Sequence, residues 1–226
     1  MSDNTIAPLV FFDLDGTLIR GPSCEQRFFL LLLRKGVAGW RQLAAFCAVG
    51  LQGLGRRKNV WKTNKAYLAG LSSSAIAALG ETFALARLKP AVHPMVKERL
   101  DEHLAAGDRV VLMTGAPDFM AHPLAAILGI PLTAATECAR EAARYSAAMP
   151  SVHPYGDAKR RIAARLCRTH GTTLADSTAY ANAFSDLSLL NAVGRPVAVF
   201  PDRRLRRLAA ARGWEVIDRR MKPCRA

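Results

Sequence analysis

Leu9-Val10-Phe11-Phe12 is a continuous apolar run that stops abruptly at acidic residues and glycine, the pattern of a short strand buried on both faces. The pattern then changes. Residues 24–88 place apolar side chains at helical spacing (Phe28, Phe29, Leu31 and Leu32, later Leu68, Leu71, Ile76, Leu79 and Phe83) with no strand-like alternation, and Pro90 and Pro94 punctuate the end of this helical block. Beyond it, strand and helix patterns alternate. Met95 to Ala106 reads as a helix stopped by Gly107, and Arg109 to Met113 as a strand. Asp118 to Leu128 reads as a helix ended by Gly129, residues 130–136 as a strand, and Asp157 to His170 as a helix closed by Gly171. Thr178-Ala179-Tyr180, a helix from Asp186 to Val193, the strand Pro196 to Phe200 and a helix over 202–212 complete the alternation. Strands alternating with helices predict an α/β fold, a doubly wound, Rossmann-like parallel sheet with helices on both faces. The helical block is then an insertion after the first strand, which divides the chain into a core of residues 1–20 and 90–226 and a helical cap of residues 21–89.

Composition narrows the class. The chain has 226 residues, half of them hydrophobic, enough for a sizeable core and too apolar for a disordered chain. Five scattered cysteines (Cys24, Cys47, Cys138, Cys167 and Cys224) form no C-x-x-C pair, which excludes a disulfide scaffold and fits a reducing, cytoplasmic setting. The N-terminus has no basic region followed by a small-residue cleavage site, so no signal peptide is expected. The longest weakly charged stretch, Gln42 to Gly55, falls short of the roughly 20 residues needed to span a bilayer.

Charge is the unusual feature, with 32 basic against 18 acidic residues. Residues 20–66 carry ten Lys or Arg and one acid, and residues 203–225 carry nine and two. Such a balance attracts anions of any kind, from phosphate esters to nucleic acid or an acidic membrane face. No RNP, zinc-finger or basic-aromatic motif accompanies it, so no specific nucleic-acid partner is expected.

In a doubly wound sheet, ligands sit at the carboxyl ends of the strands. The first strand ends in Asp13-Leu14-Asp15-Gly16-Thr17, the second in Thr114-Gly115, and the strand at 178–180 is followed by Asn182 and Asp186. Lys159 opens the helix between these last two regions. Two carboxylates two residues apart repel each other unless a cation or a proton lies between them. By contrast, His93, His122 and His153 each precede a proline and read as turn residues rather than ligands.

The ordered set FFDLDGTL, VVLMTGAP, YGDAK and YANAFSDLSLL, closed by GRPVAVFPDRRLRRLAAARGW, resembles the haloacid dehalogenase superfamily, and within it the phosphoserine-phosphatase-like branch, subfamily I type B. The resemblance implies a phosphatase acting through an aspartyl phosphate, with Asp13 as nucleophile and Asp15 as proton donor to the leaving alcohol. It implies a Mg²⁺ cofactor held by Asp13, the Asp15 backbone carbonyl, Asn182 and Asp186. It also implies that Thr114 and Lys159 bind the phosphoryl oxygens and that Gly16 and Gly115 let backbone N–H groups approach them. An ordinary Asp is ionised near neutrality, with a pKa of about 3.9, so the donor role requires a raised value.

Two positions depart from the branch. Asn182 stands where the branch has a metal-ligating Asp; an amide oxygen can coordinate a hard cation but brings no charge. Asp176 precedes its strand and so lies at the wrong end of the sheet to replace it. Pro22 stands where phosphoserine phosphatases carry a Glu that reads the substrate's amino group, which argues against phosphoserine. The cap's basic residues (Arg27, Arg34, Lys35, Arg41, Arg56, Arg57 and Lys58) are left to select a small phosphate ester. Two other classes fit parts of the sequence. Asn182 suggests a weakened relative that binds a phosphorylated ligand or partner. FFLLLLRKG and the apolar 42–55 stretch beside arginines suggest a lipid-phosphate enzyme at a membrane surface.

Overall fold

The computed structural model describes residues 7–53 and 60–218. Arg56, Arg57, Lys58, the end of the Gln42 to Gly55 stretch, Cys224 and the basic positions beyond residue 218 lie outside the described residues. Eight strands and nine helices are described: β1 (Leu9–Phe12), α1 (Cys24–Arg34), α2 (Trp40–Gly53), α3 (Val60–Thr63), α4 (Ser73–Phe83), α5 (Pro94–Ala105), β2 (Arg109–Pro117), α6 (Asp118–Ile127), β3 (Leu132–Thr136), β4 (Arg140–Glu141), β5 (Arg144–Tyr145), α7 (Asp157–Thr169), β6 (Thr178–Ala181), α8 (Leu187–Leu190), β7 (Arg195–Val199), α9 (Arg203–Ala211) and β8 (Glu215–Ile217).

Six strands form one sheet in the order β3-β2-β1-β6-β7-β8, all parallel. Strand order reverses at β1, which lies between β2 and β6, so the crevice where ligands collect opens at its carboxyl end. Alternate residues leave a strand on opposite faces, and the two halves of the core follow this period. Val10 and Phe12 pack with Val110, Leu112 and Tyr180 against α5 and α6, while Leu9 and Phe11 pack with Val111, Met113 and Ala179 against α7, α8 and α9. All four residues of β1 are buried, and burial of each phenylalanine is worth roughly 2 kcal/mol. Phe12 stacks on Tyr180 at 4.3 Å, and the Tyr180 hydroxyl meets His103, itself bonded to Asp108.

Helices α1–α4 intervene between β1 and α5. The chain leaves and re-enters the sheet through paired segments, with Arg20 N–H donating to Ala91 O and His93 N–H donating to Leu18 O at 2.9 Å each. Phe28 of α1 meets Phe83 of α4 edge-on and Phe119 of α6 at 5.1 Å, so one apolar cluster runs through the inserted helices into the core. A two-stranded hairpin, β4 with β5, clasps the insertion from the other side. Tyr145 N–H donates to Leu71 O, Gly70 N–H to Tyr145 O and Ser73 N–H to Ala143 O.

Several elements differ from expectation. β2 continues through Pro117 instead of ending at Met113, with an irregularity in its pairing to β3. The helix expected from Asp186 to Val193 is a 3-10 turn at Phe184–Asp186 and the single turn of α8. The hairpin and β8 add to the predicted set. His122 is an exposed residue inside α6 rather than in a turn.

Gly80 lies where α4 crosses α6. A Cβ there would come within 2.3 Å of the Phe119 backbone oxygen, which a flexible side chain cannot relieve. Gly80→Ala is expected to destabilise the fold by about 2 kcal/mol and lower the melting temperature by several degrees. An unchanged thermal unfolding curve would contradict this crossing geometry.

Candidate active site

β1 delivers Asp13 to the sheet's switch point, where its N–H donates to Tyr180 O at 3.0 Å and fixes the backbone against β6. The following turn folds back on itself, and the Thr17 hydroxyl donates to Asp13 Oδ2 at 2.9 Å. Lys159, in the first turn of α7, is 3% exposed and donates from Nζ to Asp13 Oδ1 at 2.6 Å. The same ammonium lies 3.0 Å from Asp186 Oδ1. Burial alone would lower the lysine's pKa, but Asp13 and Asp186 raise it well above its ordinary value, so it stays charged. Burial pushes Asp186 up to about 6, with Lys159 pulling it back and the Asp13 charge adding to the rise.

Asp15 has a different setting. Its Oδ1 accepts the Cys24 N–H at 2.8 Å and its Oδ2 the Ser23 hydroxyl at 3.2 Å. Ser23 occupies the N-cap position of α1 without capping it by its own side chain; the Asp15 carboxyl satisfies the helix's first donor instead. Burial raises the Asp15 pKa above the usual carboxylate range, the Cys24 N–H opposes this, and the Asp13 charge raises it further. The Cys24 thiol beside it is buried and pushed well above its ordinary pKa, which makes it a poor nucleophile.

Thr114, 1% exposed, accepts the Ala116 N–H on its hydroxyl at 3.0 Å and retains its own proton to donate. Gly16 acts differently from the expected phosphate-facing amide. The Gly16 N–H donates to Ile19 O at 3.0 Å, so it is spent inside the turn. What the glycine provides is room at φ +80°: a Cβ would fall 2.1 Å from Asn182 Nδ2. Gly115 faces His153, whose ring carbon would lie 3.4 Å from an added Cβ.

The structure brings Asp13, Asp15, Thr114, Gly115, Lys159, Asn182 and Asp186 to the wall of one cavity of about 630 Å³. Asp202 supports the Asn182 segment: its N–H donates to Asn182 O, and its carboxylate accepts the Phe184 N–H while capping α9. His153 also lines the cavity, a placement missed by reading it as a turn residue only. The Thr136 hydroxyl donates its single proton to Gly115 O at 2.6 Å, so the 2.8 Å contact with His153 must carry the Nδ1 proton. Burial, then Lys65 and Lys159, lower the His153 pKa to about 4, and the imidazole is neutral with its Nε2 lone pair unshared.

Among the described residues no three His, Cys, Asp or Glu side chains cluster closely enough to hold a metal by themselves. The available donors are two carboxylates, Asp13 and Asp186, an amide at Asn182 and backbone carbonyls. All are hard oxygens, the chemistry that suits Mg²⁺. No described helix is long and apolar enough to cross a membrane.

The family model for haloacid dehalogenase-like hydrolases matches residues 10–191. Phosphoserine phosphatase SerB1 of Mycobacterium tuberculosis is 30% identical over 93% of this chain and 70% of its own length. A crystal structure of a protein with unknown function from Bordetella pertussis Tohama I superposes with a TM-score of 0.81 at 29% identity, covering 95% of this chain and 99% of that one. A substrate-bound phosphoserine phosphatase shares the fold at 16% identity, with a TM-score of 0.63 over 95% and 94% of the two chains.

The ion triad yields a prediction for stability. Replacing Lys159 by Met leaves two buried carboxylates unpaired and is expected to cost about 3 kcal/mol near pH 8. Asp186 has a folded-state pKa raised above its unfolded value, so its carboxyl is tolerated when protonated and penalised as pH rises through about 6. The loss is therefore smaller near pH 5, which thermal unfolding of both proteins at the two pH values would check. An equal loss at both would contradict the arrangement.

Proposed function

The chain belongs to the haloacid dehalogenase-like hydrolase family, and from that premise we propose that it is a Mg²⁺-dependent phosphomonoesterase acting on a small organic phosphate through an aspartyl phosphate on Asp13. The observation that carries this reading is the split between the two carboxyls of DLDGT. Asp13 is paired with the Lys159 ammonium, whereas Asp15 is buried with a raised pKa on the N-terminus of α1. One suits a nucleophile and the other a proton donor.

An Asp13 carboxylate oxygen attacks phosphorus, the phosphorus–oxygen bond to the alcohol breaks, and Asp15 protonates the departing oxygen. Asp15, now ionised, takes a proton from water as that water attacks the phosphorus of the aspartyl phosphate, releasing orthophosphate and restoring Asp13. Lys159 and Thr114 hold the phosphoryl oxygens, the first as a point charge and the second as a hydroxyl donor. Asp13, Asp186, Asn182 and the Asp15 carbonyl would hold Mg²⁺, which would supply positive charge to offset the repulsion between an anionic nucleophile and an anionic phosphoryl group. Residues 21–89 form the cap and residues 1–20 and 90–226 the catalytic core. The described cysteines are unpaired, which suits a reducing cytoplasm.

The substrate is not phosphoserine in this reading. Pro22 brings no carboxylate for an ammonium, and Glu25, the acid on the cap side of the cavity, is already paired with Lys65 at 2.6 Å. The same ion pair is consistent with a cap that reads something other than an amino acid.

Asp13→Asn is nearly isosteric but cannot act as an anionic nucleophile. It is expected to abolish hydrolysis of p-nitrophenyl phosphate with unchanged far-UV circular dichroism; retained turnover would refute the mechanism. Asn182→Asp returns a charge to the metal cage and is expected to tighten Mg²⁺ by about tenfold or more. Isothermal titration of Mg²⁺ into the two proteins checks this, and equal affinities would mean that Asn182 does not face the ion.

A further inference from the structure

The inserted helices present a different surface to the cavity than the sheet does. Most of their polar groups are already used. The Asn64 amide donates to Phe46 O at 2.7 Å and accepts the Ala66 N–H at 2.9 Å, which commits both of its ends to backbone. Lys65, 3% exposed, donates to Glu25 at 2.6 Å and to Lys62 O at 3.0 Å. Between them stand aromatic faces, Phe29 at 5.2 Å from Tyr67 and Phe46 at 6.4 Å from it, both edge-on.

Among the charged side chains that the inserted helices turn to the cavity, Glu25 and Lys62, Lys62 is the exception. Its ammonium lines the cavity, donates to the Tyr155 hydroxyl at 2.7 Å and lies 4.6 Å from the centre of that ring. An ammonium has three donors, and a neutral phenol takes one of them. Among the described residues Lys62 forms no ion pair, in contrast to Lys159, the other lysine on the cavity wall, which is shared by Asp13 and Asp186. Its charge still reaches the catalytic end, where it favours the ionised form of Asp186. Tyr155 comes from the loop before α7 and Lys62 from α3, so the pair joins the inserted helices to the core across the cavity. A ligand whose phosphoryl group meets Asp13 would therefore extend its leaving portion past aromatic rings towards an uncompensated positive charge.

We propose that Lys62, with the Tyr155 ring beside it, is a specificity subsite for an anionic group carried on a flat, apolar leaving portion of the substrate. The substrate class is then an aryl-like phosphate monoester bearing a second anionic group, a carboxylate or another phosphate. This rests on the phosphomonoesterase reading above and adds the part of the substrate that the cap recognises. The charge arrangement opposes cationic leaving groups: the cap-side carboxylate, Glu25, is neutralised by Lys65, and Lys62 repels an ammonium.

Three esters of one shape test it: phenyl phosphate, para-carboxyphenyl phosphate and para-(aminomethyl)phenyl phosphate, each with the unaltered protein, Lys62→Ala, Lys62→Arg and Lys62→Glu. The unaltered protein is expected to favour the carboxylated ester over the cationic one by about tenfold or more in kcat/KM, with the difference in KM. Lys62→Ala removes that preference, Lys62→Arg keeps it and Lys62→Glu inverts it. An equal loss on all three esters in Lys62→Ala would place Lys62 on the phosphoryl group or in the fold and overturn the subsite. So would an unaltered protein that ranks the cationic ester first. If the unaltered protein hydrolyses none of them, the phosphomonoesterase reading fails separately. Calorimetric affinities of the three esters for the same proteins then decide the subsite by the same ordering.

Discussion

A single ammonium buried between two carboxylates holds the carboxyl end of the sheet together at its switch point. Lys159 Nζ lies 2.6 Å from Asp13 and 3.0 Å from Asp186, and all three side chains are nearly removed from water. Neither carboxylate could be buried so close to the other without a cation, and a buried lysine could not stay charged without them. The three groups come from β1, α7 and the turn after β6, so their mutual satisfaction requires the sheet's switch point to be closed. Everything else at the site is arranged around this constraint. Asp202 ties the Asn182 segment to α9, and the His153–Thr136–Gly115 chain fixes the end of β2.

The second organising contact joins chemistry to the inserted helices. Asp15 satisfies the first amide of α1 as well as accepting from Ser23. The carboxyl proposed as proton donor is thus oriented by the same helix whose Phe28 packs into the core against Phe119. Burial at that junction raises the Asp15 pKa, so the packing that seats the inserted helices also sets the acid's proton affinity.

Much of this was legible in the sequence, for definite reasons. Five of the six strands of the parallel sheet, β1, β2, β3, β6 and β7, carry short, mostly apolar runs, and the helices between them carry their own stop signals, so the doubly wound fold follows from local pattern. The DLDGT turn, Thr114, Lys159 and the Asn182 to Asp186 segment were legible because they fall at strand ends or a helix start in one fixed order. What was hidden depends on distant partners. The β4–β5 hairpin has only two residues per strand and is held to the inserted helices by hydrogen bonds with Gly70, Leu71 and Ser73, too little pattern to read locally. β8 is three residues long and is defined by its pairing to β7. His153 reads as a turn before proline until Thr136 and Gly115 are brought beside it. Lys62 is one of many basic residues until Tyr155, 93 positions away, fixes where its charge points. The Gly16 amide was misread because the glycine's use is the space it leaves for Asn182, which no local motif expresses.

In the proposed reaction Asp13, held by Lys159, becomes covalently phosphorylated while Asp15 does not. The most direct measurement is rapid acid quenching during turnover of a phosphate ester with Mg²⁺ present, followed by peptide mapping by mass spectrometry. One added phosphoryl group on Asp13, lost on longer incubation as orthophosphate accumulates, is the predicted result. A phosphoryl group on Asp15 or on a histidine, or turnover with no phosphorylated peptide at any quench time, would contradict it.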